Sequence, residues 1–579
     1  MFLIDGEFKN QMVFFDGERL NVRLNKKIYK RIIKIAEEAR YFDYAHEVGI
    51  MSLPPTKNIA RMLHDMKLDF DISAKIFLNK IAPEKIENEN DDINFSLLKP
   101  LTLRKYQEYG VNWMLKHNIH FILGDEMGLG KSVQIGAYLF FKNTFPTLII
   151  CPASLKLNWE KEIWIWTKKK CIVLDGLIPY PIDGLLDEFP VVIINYDILG
   201  RKNKLEVDYE KKRIKEVKKL KIPYKKKIIH PSGWVDILKN INFKDIICDE
   251  CQFIGEKETA RTQCVIDICK EIKGARRIFL SGTPYYSATR QFFPILNLID
   301  SIIFNNKWRY QMTFCNPIKT RFGWKFRGLS NGEQLHDLVS KLMLRRLKKD
   351  VLNELPEKIK SIIPMKLDKK LLEKYNNDEI VLLSGEIVNE RKTYQDLKKL
   401  VYYIKIKSCI QWINDFIEIN NKLVVFVYHR ESFKNIMKIF DGIVVGINGN
   451  TPSNKRQNIV DQFQNNKKIK LFCGQIEAAG IGITLTAASA VAFVEFGDTA
   501  SEHEQAEDRI HRISQEADKI VAYYLIAKET IDEDIIDNIR IGYANQKCVL
   551  DGETNAEFIN NNPEEFARDV LKSRKAKLK

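Results

Sequence analysis

From about residue 98 the chain sets short apolar runs against longer amphipathic segments. The runs 121-FILG-124, 147-TLIIC-151, 190-PVVIIN-195, 245-DIIC-248 and 276-RRIFL-280 are mostly β-branched and nearly continuous. Strands buried on both faces of a sheet read this way. The rhythm resumes after residue 420 with 422-KLVVFVY-428, 442-GIVVGI-447, 469-IKLFC-473, 489-SAVAFVE-495 and 519-KIVAYYLI-526. Strands alternating with helices predict βαβ units and parallel sheets. The pattern therefore predicts an α/β chain of two parallel-sheet lobes, 98–300 and 416–545, with a mainly helical inter-lobe region over 301–415. Residues 1–82 mix short apolar runs with basic helix-like segments such as 26-KKIYKRIIKIAEEARYF-42. They read as a small α+β accessory domain suited to nucleic-acid or substrate recognition. Residues 83–97 form a polar, acidic linker, and 546–579 a basic tail.

Composition changes this picture little, and charge changes it more. With 45% hydrophobic and 29% charged residues over 579 positions, the chain has the make-up of a globular protein of several domains. No apolar run approaches the ~18 residues that span a bilayer, and the opening MFLIDGEFKN has neither the basic nor the apolar part of a secretory leader. Ten scattered cysteines suit a reducing compartment. A soluble intracellular protein is expected, in cytoplasm, nucleoid or nucleus, without a membrane partner. The net charge of +16 favours an anionic partner. It is concentrated: residues 201–229 hold thirteen Lys or Arg against four acids, and 570–579 adds +5, so the two segments carry 14 of the 16. The first is an insertion between two strands, either a solvated excursion or a phosphate-tracking patch.

The strongest chemical signal is 121-FILGDEMGLGKSVQIGAYLFF-141, which reads strand, glycine-rich turn, helix. Gly128 and Gly130, with Leu129 between them, let backbone amides approach a phosphate at a helix N-terminus. Lys131 would reach the β- and γ-phosphates and Ser132 would ligate Mg²⁺. The strict phosphate-loop pattern places a glycine where Asp125 stands. The second signal is 245-DIICDECQ-252, an apolar strand that ends in two carboxylates. In phosphoryl transfer one carboxylate holds Mg²⁺, a role that fits Asp249, and a second orients the attacking water, a role that fits Glu250. Cys248 and Cys251 form a CxxC spacing that superficially suggests zinc. They flank the acid pair, however, and read better as buried thiols of the strand. Trp159, Ile163 and Trp166 fall at i, i+4 and i+7 and read as the core face of a helix.

Together these segments resemble those of superfamily 2 helicases, specifically the Swi/Snf-related ATPases. DEMGLGKS, DECQ and 280-LSGTP-284 are similar to motifs I, II and III. Residues 103–114 are similar to the adenine-reading motif, 148–162 to motif Ia, 343-MLRRLKKDVLNELPEK-358 to the inter-lobe signature, 423–431 to motif IV, 477–489 to motif V and 505-QAEDRIHRISQ-515 to motif VI. The resemblance covers roughly 98–545. It implies two RecA-like lobes, with Gln107 reading adenine and Arg509 and Arg512 crossing the cleft to the γ-phosphate, positioned with help from Gln505. It also accounts for Asp125, which this family writes in its phosphate loop. Two departures stand out: 495-EFGDTASEHEQ-505 lacks the family's Trp before motif VI, and Cys251 and Gln252 follow the acid pair where a His is usual.

What the resemblance implies is an ATP- and Mg²⁺-dependent motor that travels on DNA, duplex or forked in preference to single-stranded. Ser154 and Lys156 in lobe one, and Arg430 and Thr484 in lobe two, are candidate contacts to the nucleic acid. The wording of motifs V and VI is nearest the branch of annealing helicases, which rewind DNA in repair or replication, and 49–66 is faintly similar to that branch's substrate-recognition region. A monomer is expected, with a single-strand-binding or replication protein as a conceivable partner. Two alternatives stand beside this reading: an RNA-directed helicase or a motor recycling RNA polymerase, and a non-enzymatic nucleic-acid-binding module. The last would predict loss of catalytic residues, yet Lys131, Ser132, Asp249, Glu250, Arg509 and Arg512 are all present.

Overall fold

The computed structural model describes residues 93–553 apart from 118–119, most of 203–230, 257, 286–287, 321–322, 327, 353, 385–388, 421 and 480–481. It also describes four short strands between residues 13 and 53, and a helical piece at 570–576 without 572. Nearly all of the basic interval 201–229, the recognition-like segment 49–66 beyond its strand, and much of the terminal tail lie outside the described residues.

Strands β1 (Val13–Phe15), β2 (Leu20–Arg23), β3 (Asp43–Ala45) and β4 (Ile50–Leu53) form an antiparallel sheet in the order β1-β2-β4-β3. The first parallel sheet is built from β5 (Phe121–Leu123), β6 (Thr147–Cys151), β7 (Cys171–Val173), β8 (Val191–Asn195), β9 (Asp245–Asp249) and β10 (Arg276–Leu280). A separate hairpin of β11 (Pro317–Thr320) and β12 (Gly323–Phe326) follows, and then β13 (Met343–Leu344) returns to the first sheet. That sheet has seven strands in the order β13-β5-β10-β9-β6-β8-β7, all parallel. The second combines β14 (Glu357–Pro364), β15 (Leu423–Val427), β16 (Val444–Ile447), β17 (Leu471–Gln475), β18 (Ala490–Phe493) and β19 (Lys519–Ile526) in the parallel order β14-β19-β18-β15-β17-β16.

The central strands β6, β8, β9 and β15 are buried at every position, as continuous apolar runs require when helices cover both faces. The expected strands are all present. The interval 301–415, expected to be mainly helical, also contributes an edge strand to each sheet and the β11–β12 hairpin. β13 is only two residues long, and β14 alternates exposed and half-buried positions with lysines among them. Neither produces the apolar run by which buried strands are recognised. Cys248, Cys251, Cys264 and Cys269 all lie in the core of the first lobe among apolar side chains. Among the described residues no helix is long and apolar enough to cross a membrane.

Candidate active site

The buried strand β5 delivers the chain into the glycine-rich turn and then into the helix Lys131–Lys142. Gly128 and Gly130 both adopt positive φ, +89° and +75°, where a side chain would be strained. A Cβ at Gly130 would also lie 2.6 Å from Gln107 Nε2. The first-turn amides of the helix are therefore presented to the turn, as anion binding requires. Lys131 Nζ donates to the carbonyls of Asp125 at 2.7 Å and Glu126 at 3.5 Å. Burial pulls its pKa down, opposed by the nearby carboxylates of Glu250, Asp125 and Asp249. Gln107 is fixed beside the turn: its Nε2 donates to Leu129 O at 3.2 Å and its Oε1 accepts from Arg104 N at 3.0 Å.

Asp125 is fully buried. Arg346 Nε donates to its Oδ1 at 2.9 Å, Arg346 Nη2 reaches Oδ2, and Gln134 Nε2 donates to Oδ2 at 2.9 Å. Arg346 follows β13, which lies parallel beside β5. Its neighbour Arg345 donates through Nη1 to the carbonyls of Gly124 and Gly282, both at 2.8 Å, and through Nε to Asp551. The carboxylate in a glycine's place is thus the anchor of the inter-lobe segment. Sequence reasoning did not single out either arginine, although a buried charge always implies a partner.

β9 ends at the acid pair. Asp249 Oδ2 accepts from Trp159 Nε1 at 2.8 Å, and its Oδ1 accepts from the amide of Glu250 at 2.9 Å. Burial first, and then the Glu250 charge, raise the Asp249 pKa to about 7. Trp159 does lie on the core face of its helix, but its indole N–H also orients this carboxylate. Asp249 and Ser132 line one cavity of about 320 Å³. Glu250 itself has φ +50°, a conformation that only surrounding structure sustains in a residue with a side chain. Its Oε2 accepts from Gln252 Nε2 at 2.6 Å, Gln252 Oε1 accepts from Ser281 Oγ at 2.6 Å, and Ser281 Oγ accepts from Thr283 N at 3.0 Å. Gln252, one of the two departures in sequence, is the link between DECQ and LSGTP.

The second lobe supplies the opposite wall. The helix Ala500–Glu507 begins in a reciprocal cap between Thr499 and Glu502 and leads into Asp508–Arg512. Arg509 is buried, donates through Nε to Gln505 O at 2.8 Å and through Nη1 to Ile483 O at 3.4 Å, and places Nη2 4.0 Å from Met127 Sδ in the glycine-rich turn. Burial lowers its pKa and Glu250 of the other lobe opposes that shift. Half-buried Arg512 donates to Thr484 Oγ1 at 2.7 Å. Gln505 Nε2 and Thr283 Oγ1 are buried without a hydrogen-bond partner among the described residues. His511 pairs through Nε2 with Pro356 O at 3.0 Å, and burial pulls its pKa to about 4. It holds the end of the inter-lobe segment.

Lys131, Asp249, Glu250 and Arg509 thus converge on one cleft, with Gln107 and Ser132 beside it, whereas Arg512 is held within the second lobe by Thr484 and Asp508 O. The nucleic-acid candidates separate. Ser154 is half-buried and Arg430 exposed at the start of a helix. Lys156 is buried, donating to Leu174 O at 3.0 Å and pairing with Asp175. Thr484 faces Arg512. In the terminal tail, Arg574 forms ion pairs with Glu379 and Asp534, while Val570 and Leu571 enter the second lobe's core.

Residues 106–437 match the SNF2-related domain and residues 404–514 the helicase conserved C-terminal domain. The chain is 30% identical over 476 residues to the Caenorhabditis elegans homolog of the SWI/SNF-related matrix-associated actin-dependent regulator of chromatin subfamily A-like protein 1, covering 79% of this chain and 62% of that protein. It is 30% identical over 493 residues to the human DNA annealing helicase and endonuclease ZRANB3, covering 81% of this chain and 42% of that protein. The chain therefore spans less than two thirds of the length of each of these relatives. Among solved structures, the Sulfolobus solfataricus SWI2/SNF2 ATPase core in complex with dsDNA is similar at 23% identity and a TM-score of 0.34, over 76% of this chain and 90% of that one.

Proposed function

Because the chain belongs to the SNF2-related family, we propose that it is an ATP-hydrolysing motor that translocates on duplex or forked DNA and remodels or reanneals it. The observation that carries this reading is the approach of Arg509, from the second lobe, to Met127 in the phosphate turn of the first, within the field of Glu250. A guanidinium there can neutralise charge that spreads onto the transferred phosphoryl group. The turn and helix amides with Lys131 would hold the β- and γ-phosphates, and Gln107 the base. Glu250, oriented by Gln252, would position the attacking water and accept its proton. Gln505 and Arg512 complete the second wall. Mg²⁺ suits Ser132 and Asp249, which share a cavity, and when bound it would neutralise charge on the phosphates. Nucleotide bound to both walls favours the closed arrangement of the lobes and product release the open one, so a grip on the phosphate backbone by each lobe converts the cycle into movement. Exposed Arg430 and half-buried Ser154 are the better placed of the proposed contacts.

The test is ATPase activity measured with duplex, forked and single-stranded DNA and with RNA, for the wild type, Lys131→Ala and Arg509→Ala. Strong stimulation by duplex or forked DNA is expected, with near-abolition in both variants. Stimulation by RNA alone would sink this reading.

A further inference from the structure

Outside the nucleotide cleft, one surface carries chemistry that hydrolysis leaves unused. Residues 301–331 hold six basic residues, Lys307, Arg309, Lys319, Arg321, Lys325 and Arg327, and no acid. This excess is cancelled by acids elsewhere in the chain total, so charge bookkeeping over the whole sequence hides it. The middle of the segment is the β11–β12 hairpin, a two-stranded sheet separate from both lobes' sheets. Its base is fixed. Asn316 N donates to Ser330 Oγ at 3.0 Å, and Ser330 Oγ and Asn331 Nδ2 both donate to Thr313 O at 2.8 Å. Phe314 and Cys315, just before it, are in the first lobe's core.

Cross-strand partners share a face of a hairpin. Lys319 pairs with Trp324 and Pro317 with Phe326 on one face, and Ile318 pairs with Lys325 on the other. Trp308 meets Phe326 edge-on, with ring centroids 5.5 Å apart and planes at 88°. Trp324 is 40% exposed and Trp308 50% exposed. Lys307 is paired with Glu258 at 2.9 Å, whereas Lys319 is exposed on the same face of the hairpin as Trp324. A lone two-stranded sheet gains little from its own packing, so indoles left in water next to a lysine on a fixed base are built for an occupant with flat faces and negative charge.

We propose that this hairpin binds a single-stranded stretch of nucleic acid, Trp324 stacking on an unpaired base and Lys319, on the same face, meeting the phosphate beside it. Single strands expose base faces to an indole, and stacking with basic side chains alongside is the general mode of recognising them. In a blunt duplex those faces are covered by neighbouring pairs. The inference rests on the proposed function in one respect, that the motor engages DNA at all. It adds where a fork's unpaired arm is held.

The experiment uses the full chain and fluorescence anisotropy with single-stranded, forked and blunt duplex DNA, alongside ADP titration. Trp324→Ala is expected to weaken single-strand binding by about five- to a hundredfold, with Trp324→Phe recovering most of it. Lys319→Ala is expected to reduce the slope of log affinity against log salt by roughly 0.7 on single strands. Blunt-duplex and ADP binding should stay within about twofold in every variant, because the hairpin lies outside the cleft. A wild type that binds ADP but no DNA overturns the proposed function and this site with it. A wild type that binds DNA, with Trp324→Ala and Lys319→Ala binding single strands equally well, overturns the hairpin assignment alone and points to a protein occupant. Equal losses on single strands and blunt duplex overturn the assignment to unpaired bases.

Discussion

The carboxylate of Glu250 takes its orientation from a residue that departs from the usual motif. Gln252 donates to it and accepts from Ser281, so the side chain proposed to position water is tied through two short hydrogen bonds to the turn after β10. A rotation of that carboxylate moves its oxygens by about an ångström, enough to cost up to ~100-fold in rate. Gln252→Ala and Ser281→Ala should each lower kcat by roughly ten- to a hundredfold with little change in the KM for ATP. Because they break the same chain, the double variant should be little worse than either single one. Steady-state kinetics of the three proteins will check this, and independent, multiplying losses would rule the chain out. The residues proposed to carry chemistry in their own atoms, such as Lys131 and Asp249, were legible in the sequence because spacing and strand–turn context expose them. Gln252 and Trp159 were not legible in these roles. A glutamine and a tryptophan have many uses, and only a neighbour from another element selects one.

At the scale of elements, the short strand β13 is the least conspicuous piece of the first sheet, yet it carries Arg345 and Arg346 to the glycine-rich turn. Asp125 is fully buried and the Arg346 side chain nearly so, so each charge depends on the other. Arg346→Met should therefore cost ~3–5 kcal/mol of stability and weaken ADP binding, because it strands a buried carboxylate under the turn. The double variant Asp125→Gly with Arg346→Met removes both charges and should recover most of the stability. Thermal unfolding with and without ADP reads both effects, and a double variant no more stable than the single one would contradict the pairing. The sequence shows an aspartate in an unusual place. It does not show that the partner lies 221 positions away, since contacts between elements far apart in the chain leave no periodic trace.

Across the whole molecule, two devices join the lobes. The helix Ile531–Asp551 places Ile531, Ile535 and Ile539 in the second lobe's core and Cys548, Val549 and Leu550 in the first lobe's. Between them Gln546 donates to Ser501 Oγ at 2.6 Å and to Tyr285 O at 3.2 Å. The second device is ionic: Asp508 meets Lys348, just past the edge strand β13 of the first sheet, at 2.9 Å, and within its own lobe it also meets Lys358 of β14 at 3.1 Å. Burial pushes the Asp508 pKa up, but Lys348 and Lys358 outweigh it and hold the group below the usual carboxylate range. A carboxyl more acidic folded than unfolded stabilises above its unfolded pKa of ~3.9 and loses that contribution as pH falls through the folded value. Asp508→Asn should therefore lower stability by ~3–5 kcal/mol at neutral pH, with the gap from wild type constant down to about pH 5 and closing below pH 4. Denaturation midpoints at pH 7, 5 and 3 will show it, and a gap independent of pH would argue against the ion pairs.

The sequence by itself determined the two α/β lobes, the positions of their buried strands along the chain and the residue types of the candidate nucleotide site. Each of these is written locally, in continuous apolar runs, glycine spacing or adjacent acids, and local patterns survive in one dimension. Only the tertiary structure decided which edge strands close the sheets, that Asp125 answers Arg346, that Gln252 bridges two motifs and that Arg509 reaches the opposite lobe. It also separated charge that is already paired, as at Lys156 and Arg574, from charge left outward beside exposed rings on the β11–β12 hairpin. Those outcomes depend on which side chains meet after the chain has crossed itself. A buried charge or a stacked ring acquires its role from its partner, and the partner is chosen by packing.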